Sequence, residues 1–405
     1  MKIAYVFYDR PDYSAGPRIN AMRLLPELVR RGHHVTAIIG YYSECSAQKY
    51  LEQSGVVVRA VSWPRYCVDQ VNWLAMTLSE VDPDVFVPNI STSGCYAARY
   101  LREAGRPTIA GHLSDDDYNW GLARRFCRRG DEWAVSGLFC MGRELGDVVR
   151  SWNPSRSHVV DICHGVPQSD MRSNCGGPLR LVYAGRLEDR QKRISDLARA
   201  VLPVLRTYPQ AQMKFIGEGS RRSSLEDFFD GQRLADRVTF AGYVEPDTVQ
   251  REMVWGNVLV LLSEYEGVPG AVMDGMACGM VPVCLDIDGG VRELVVHQQT
   301  GLLVRNREAD FQSAIHRLAA DEFLRRDLSF NAVRHIANHF SLTAATDEWE
   351  QLFEHLVQSA GPRRKIAFPD PIVLPPPSKG IDREDIRRPL SLSGKLRQIW
   401  RKTQF

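Results

Sequence analysis

Two kinds of apolar run alternate along the chain. Short continuous runs at 2–7, 35–39, 55–61, 83–87, 107–110, 131–135 and 159–163 have the length and composition of buried strands. Between several of them, apolar residues recur every three or four positions. In 18–31 these are Ile19, Met22, Leu25, Leu28 and Val29, the stripe of a helix that Gly32 stops. Segments 71–81, 95–104 and 142–151 also read as helices. Strand, loop, helix, strand is the order of a βαβ unit, so the pattern predicts a parallel sheet.

A polar stretch at 168–178, ending in Gly176-Gly177-Pro178, interrupts the alternation and contains the linker, 171–178. The alternation then resumes. A strand and turn occupy 181–187, further strands 212–216, 238–241, 258–262 and 301–304, and helices 195–206 and 269–278. Pro269 fits the first position of its helix, Gly279 its stop, and Pro282 opens the next strand. The expected architecture is α/β: two Rossmann-like, doubly wound parallel-sheet domains, 1–170 and 179–340, facing across a cleft. A helix over 341–358, with Thr343 as a candidate cap, crosses back to the first domain, and 361–405 is a tail.

Composition narrows the classes. The chain has 405 residues and a formal charge of +2, which gives no reason to expect nucleic acid. Its nine cysteines include no Cys-x-x-Cys pair and sit among apolar neighbours, as reduced thiols do. The first apolar run stops at Asp9-Arg10, too short for a signal sequence, and no run is long enough to span a bilayer. A cytoplasmic protein is the expectation. The tail alters the picture locally, with eleven Lys and Arg against four Asp and Glu. Its Pro-rich part, 369–377, predicts an extended linker. Leu392, Leu396, Ile399 and Trp400 then recur at helical spacing among Lys395, Arg397, Arg401 and Lys402. Such a helix can lie on an anionic membrane surface; a docking helix or a disordered tail are the alternatives.

The chemistry concentrates after strand ends. Glu264-Tyr265-Glu266-Gly267 follows an apolar run and precedes the helix that begins near Pro269, with Asp274 five residues into it. A glycine-bearing loop entering a helix N-terminus holds phosphate well, because unpaired N–H groups and the helix dipole face the anion. Other glycine turns occur at Gly16, at Gly185-Arg186 with Lys192 six residues on, at Gly217-Glu218-Gly219, at Gly242-Tyr243-Val244 and at Asp288-Gly289-Gly290. A Gly-x-Gly-x-x-Gly fingerprint is absent from the first turn, which argues against a nicotinamide oxidoreductase. His112 ends a strand, where open α/β sheets place ligands. Asp115-Asp116-Asp117 could hold a divalent ion but reads more readily as a solvated turn or helix cap.

These residues carry a resemblance to retaining glycosyltransferases of the GT-B fold, glycosyltransferase family 4. That family has a glutamate, seven residues and a second glutamate; here the positions are Glu266 and Asp274, the second shortened by a methylene. Met276-Ala277-Cys278-Gly279 with Pro282-Val283, Arg31-Gly32-His33-His34-Val35, Pro83-Asp84-Val85-Phe86-Val87 and Gly185-Arg186-Leu187 with Lys192 are similar to its other motifs. His164-Gly165-Val166-Pro167 departs from its usual Asn-Gly-Val-Asp. The similarity covers about 1–358 and is strongest at 181–304.

The resemblance implies roles. Arg186 and Lys192 grip a donor diphosphate, and Glu266 holds hydroxyls of the transferred sugar. Asp274 holds the ribose, and His112 contacts the sugar. Gly16 faces donor and acceptor. Gly217 lies near the nucleotide, and Gly242, Tyr243 and Val244 seat the base. Gly267, Val268, Pro269 and Gly270 form the phosphate turn. Implied, too, is transfer with retention from a nucleoside diphosphate sugar to a glycan, lipid-linked or other acceptor, with neither cofactor nor metal. Peripheral membrane contact through 361–405 is an expectation from the pattern of the tail alone. A nucleotide-sugar epimerase and a non-catalytic binding relative are the alternatives.

Overall fold

The computed structural model describes residues 1–9, 16–245 and 248–387. The amphipathic segment expected at 392–402 lies outside the described residues. Seven strands form the first sheet: β1 (Lys2–Asp9), β2 (His34–Tyr41), β3 (Val57–Ser62), β4 (Val85–Asn89), β5 (Thr108–His112), β6 (Gly137–Cys140) and β7 (His158–Asp161). Their order is β3-β2-β1-β4-β5-β6-β7, and every pairing is parallel. The second sheet holds β8 (Arg180–Ala184), β9 (Gln212–Ile216), β10 (Val238–Gly242), β11 (Val258–Leu261), β12 (Val281–Leu285) and β13 (Leu302–Val304). It runs β10-β9-β8-β11-β12-β13, again wholly parallel. Each order reverses once, between β1 and β4 and between β8 and β11. Crossovers diverge at such a point, leaving a crevice beyond the carboxyl ends of the strands.

The apolar runs became strands because both faces are covered. All five residues of β4, β5 and β12 are buried. The helix Leu342–Ser359 buries Trp349, Leu352, Phe353 and Leu356. Trp349 meets Phe139 of β6 with ring centroids 4.7 Å apart, and a Cβ on Gly137 would lie 2.9 Å from Leu356. Arg31 adds ion pairs to Asp347 and Glu350 at 2.5 and 2.6 Å. This helix follows the second sheet in sequence but packs on the first. Burying each large side chain contributes about 1.5–3 kcal/mol, so its apolar face outweighs the partly exposed ion pairs.

Several expectations need correction. Residues 131–135 form no strand: the Asp131 carboxylate takes the Trp133 N–H at 2.9 Å and the Arg125 guanidinium, which bends the chain into a turn, and β6 begins at Gly137. Pro269 is not the first helical residue. It stands at the N-cap with ψ 108°, and the helix is Gly270–Ala277, with Gly279 at φ +82° completing its stop. Ser341, not Thr343, caps the last helix, accepting the Ala344 N–H at 3.2 Å. The extended linker expected at 369–377 lies within a segment, 361–387, that packs on the first domain. Ile366, Ile372 and Ile381 are buried against the first sheet's helices, Arg364 N–H donates to the Ala104 carbonyl at 3.0 Å, and Arg363 pairs with Asp84. No helix among the described residues is long and apolar enough to cross a membrane.

Candidate functional site

A cavity of about 500 Å³ lies between the sheets, lined from the carboxyl ends of β1, β4, β8, β9 and β11. The two switch-point crevices therefore open onto one space.

On the second sheet, β8 is followed by Gly185, whose φ of +152° admits only glycine comfortably. A Cβ on Gly217 would sit 2.1 Å from the Gly185 carbonyl, so the two turns can nest only if position 217 is bare. Beyond them, Glu188 accepts the Arg190 and Lys192 N–H groups at 2.8 and 3.3 Å, folding 186–193 into a compact cationic loop. Lys192 Nζ reaches Glu266 Oε1 at 2.5 Å. Gln191 ties the loop together: its Nε2 donates to the Tyr265 carbonyl at 3.1 Å and to Glu266 Oε2 at 3.3 Å, while its Oε1 accepts from Arg186 at 2.6 Å. Glu266 is only 6% exposed, so this neutralisation by Lys192 is what makes its burial tolerable.

The Gly267–Pro269 turn delivers the helix Gly270–Ala277 end-on to the cavity. Its first intrahelical bonds run from Val272 and Met273 to the Pro269 carbonyl, at 3.0 and 3.2 Å. The Gly270 and Ala271 N–H groups thus have no intrahelical acceptor, and both residues line the cavity. One turn on, Asp274 is 4% exposed and engaged by Arg23 of the first domain at 2.8 and 3.0 Å and by Gln250 at 3.1 Å. That pair joins the lobes. So does Arg18, which donates to Asp9 at 2.7 Å and to the Tyr243 hydroxyl at 3.1 Å. At the closest approach, a Cβ on Gly267 would meet the Leu113 carbonyl at 2.2 Å.

Of the expected site residues, Gly16, Gly185, Arg186, Lys192, Gly217, Tyr243, Val244, Glu266, Gly267, Val268, Pro269, Gly270 and Asp274 line this one cavity. Gly242 supports it from behind, its carbonyl accepting the Gly217 N–H at 2.7 Å. His112 is placed differently. It ends β5 as expected, but it is fully buried, is not on the cavity wall, and lies with its ring centroid 4.2 Å from that of Trp120. Neither ring nitrogen has a hydrogen-bond partner of normal geometry among the described residues; the nearby Asn119 backbone favours the protonated ring only slightly. Burial pushes the ring down to about 4 against the opposing charge of Asp115, so it is neutral at pH 7.

The acidic triplet is largely explained by local structure. Asp116 caps the helix Asp117–Ala123 through the Asn119 N–H at 2.9 Å, and Asp115 accepts the Trp120 indole at 2.5 Å.

Sequence reasoning missed Gln191, Arg23, His164 and Glu384, all on the wall. Gln191 lay inside a recognised motif, and His164 was noted only as a departure from one. Burial, with Arg23 adding repulsion, pushes the His164 ring down to about 3. Arg23 looked like any polar position of an amphipathic helix, and Glu384 belongs to the tail.

With this geometry in view, comparison with known proteins is informative. Residues 178–321 match the family model described as glycosyl transferases group 1. The chain is 27% identical over 177 residues to alpha-D-kanosaminyltransferase of Streptomyces kanamyceticus, covering 44% of this chain and 45% of that protein. It is 28% identical over 307 residues to the lipopolysaccharide core biosynthesis glycosyltransferase LpsD of Rhizobium meliloti, covering 74% and 82%. The match spans less than half the length of each of the first four curated relatives. Among solved structures, Anabaena HepE in complex with UDP superposes with a TM-score of 0.69 at 16% identity, covering 88% of this chain and 100% of that one. At that identity the likeness concerns the fold.

Proposed function

We propose, from the premise that the chain is a GT-B protein whose residues 178–321 form a glycosyl transferases group 1 domain, that it moves a sugar from a nucleoside diphosphate sugar to an acceptor hydroxyl. One observation carries this reading: Arg186, Lys192, Glu266 and the first-turn amides of Gly270 and Ala271 converge on the cavity between the lobes. Cations beside unpaired amides suit a diphosphate, and a buried carboxylate next to them suits sugar hydroxyls.

In the proposed reaction the bond from the anomeric carbon to the β-phosphate oxygen breaks, and its electron pair stays on the phosphate. The acceptor oxygen bonds the anomeric carbon, and its proton passes to the departing phosphate. Negative charge grows on the diphosphate, so Lys192 and Arg186 act chiefly on the barrier. Lys192 holds Glu266 at 2.5 Å; a bound diphosphate would take over the ammonium and leave Glu266 to the sugar. Asp274 would take the ribose hydroxyls once Arg23 releases it. Retention of configuration belongs to the proposal through the family resemblance. A cytoplasmic setting fits nine cysteines that are all free thiols.

The engagement of Asp274 by Arg23 favours a second reading, a relative that has lost nucleotide binding. A thermal-shift and calorimetric panel of UDP, GDP and ADP separates the two. The transferase reading expects one of them to bind and to raise the melting midpoint; binding by none rejects it. Incubation with the matching nucleotide sugar alone, without acceptor, checks for epimerisation.

A further inference from the structure

The proposed reaction leaves one titratable side chain of the cavity wall without a task. His164 follows β7 on the way to the second lobe and lines the space between the lobes. Its neighbours fix where the ring stands. The His164 backbone N–H donates to Met141 Sδ at 3.3 Å, and a Cβ on Gly267, in the phosphate turn, would lie 3.5 Å from Met141 Cγ. A single side chain thus separates His164 from the turn that leads into the helix Gly270–Ala277. On the other side, a Cβ on Gly16 would lie 3.7 Å from His164 Nε2, so the bare glycine leaves room in front of that nitrogen. Arg23 is close enough to repel a protonated ring.

The two ring nitrogens differ. Nδ1 is buried and has no hydrogen-bond partner among the described residues, whereas Nε2 is not sealed off in that way. Burial, and after it the Arg23 charge, hold the ring at about 3, so it is neutral at pH 7. A neutral imidazole has one N–H and one bare nitrogen. A buried N–H without an acceptor is costlier than a buried lone pair without a donor, so the proton is assigned to Nε2. His164 therefore offers the cavity an N–H that nothing in the described protein accepts. The carboxylate nearest in the wall, Asp274, is already engaged by Arg23 and Gln250. An anionic ligand would both accept this N–H and offset the positive charge of Arg23; a neutral hydroxyl would do only the first.

We infer that His164 is a diphosphate-binding residue of the first domain, donating from Nε2 to a phosphate oxygen. The diphosphate is then held from both lobes, by Arg186, Lys192 and the helix amides on one side and by His164 on the other. The position at which this chain departs from the Asn-Gly-Val-Asp of the resembled family becomes a binding position. The inference rests on the proposed transferase reading, because it needs a diphosphate in the cavity.

The test uses full-length protein at neutral pH and whichever of UDP, GDP or ADP binds it. Calorimetry compares wild type with His164→Leu, which keeps bulk but has no N–H, and with His164→Gln, whose amide N–H has much the reach of Nε2. The Leu variant should bind about tenfold more weakly, the loss expected for one hydrogen bond to a charged group, and the Gln variant should stay within about threefold of wild type. Melting midpoints without nucleotide should not fall in either variant. The phosphorus resonances of the bound nucleotide should move between wild type and His164→Leu. Four results overturn the inference while sparing the transferase reading: undiminished affinity in His164→Leu, an equal loss in His164→Gln, a lowered unliganded midpoint that accompanies the loss in both variants, or a loss with unmoved phosphorus resonances. Failure of all three nucleotides to bind wild-type protein would instead strike the transferase reading itself.

Discussion

Replacing Lys192 by Gln removes a charge from the centre of the proposed donor site while keeping most of the side-chain volume. Lys192 Nζ sits 2.5 Å from Glu266 Oε1, with side-chain exposures of 15% and 6%. Donor binding exchanges that partner for the diphosphate. A hydrogen bond to a charged group contributes about 1.5–3 kcal/mol, but the exchange gives back the Glu266 contact, so donor affinity should fall only about tenfold. The transition state differs, because the diphosphate gains charge after the exchange is complete. Loss of a preorganised donor there costs about 2.7–4 kcal/mol, or 10²–10³ in turnover. The assay is release of nucleoside diphosphate at saturating donor, with donor affinity measured separately by calorimetry. The expected result is a kcat lowered by two to three orders of magnitude with a smaller loss of affinity. A kcat within a few-fold of wild type, or a loss confined to affinity, would refute the reasoning.

Other expectations follow from the same geometry. Arg23→Met strips Asp274 of its bidentate partner and leaves only Gln250; with Asp274 4% exposed, stability should fall by about 2–4 kcal/mol, read as a lower denaturation midpoint. The same variant should bind nucleoside diphosphate more tightly, since no ion pair must open; unchanged affinity would show that Arg23 and ribose do not compete. Stability should also decline in acid. His112 and His164 are pushed down to about 4 and about 3, below an unfolded value near 6.5, so between those limits the unfolded chain binds protons that the fold does not. The stabilisation is complete above pH 6.5 and is lost as pH falls, by about 2 kcal/mol per histidine at pH 5. Denaturant midpoints at pH 7.5 and 5.0 measure this, and His112→Asn should flatten the difference; an identical slope in that variant would remove His112 as a cause.

The legible parts of the fold were those with period. Both sheets could be read because parallel strands covered on two faces leave continuous apolar runs, as in β4 and β12. The expected strand at 131–135 failed because composition cannot register that Asp131 caps its own turn. Proline-rich composition at 369–377 suggests an extended linker but carries no sign that the segment packs, with Ile372 and the flanking Ile366 and Ile381 buried. The second-domain half of the site was legible because its residues lie in short motifs, Gly185 to Lys192 and Glu266 to Asp274, whose local geometry brings them together. Contacts across the cleft were not. Arg23 meets Asp274 from 251 positions away, and Glu384 meets Tyr8 from 376, separations at which no local pattern carries information. His112 shows the converse: its place at the end of β5 was foreseen, but not its burial beneath Trp120.

The central claim is that a sugar diphosphate occupies the space between the lobes. A crystal structure of the protein with the nucleoside diphosphate that binds tests it most directly. The diphosphate should lie within hydrogen-bonding distance of Arg186, Lys192 and the Gly270 and Ala271 amides, with Lys192 drawn off Glu266. A nucleotide bound elsewhere, or one lying in the cavity while Lys192 stays paired with Glu266 and the amides face no phosphate, would contradict it.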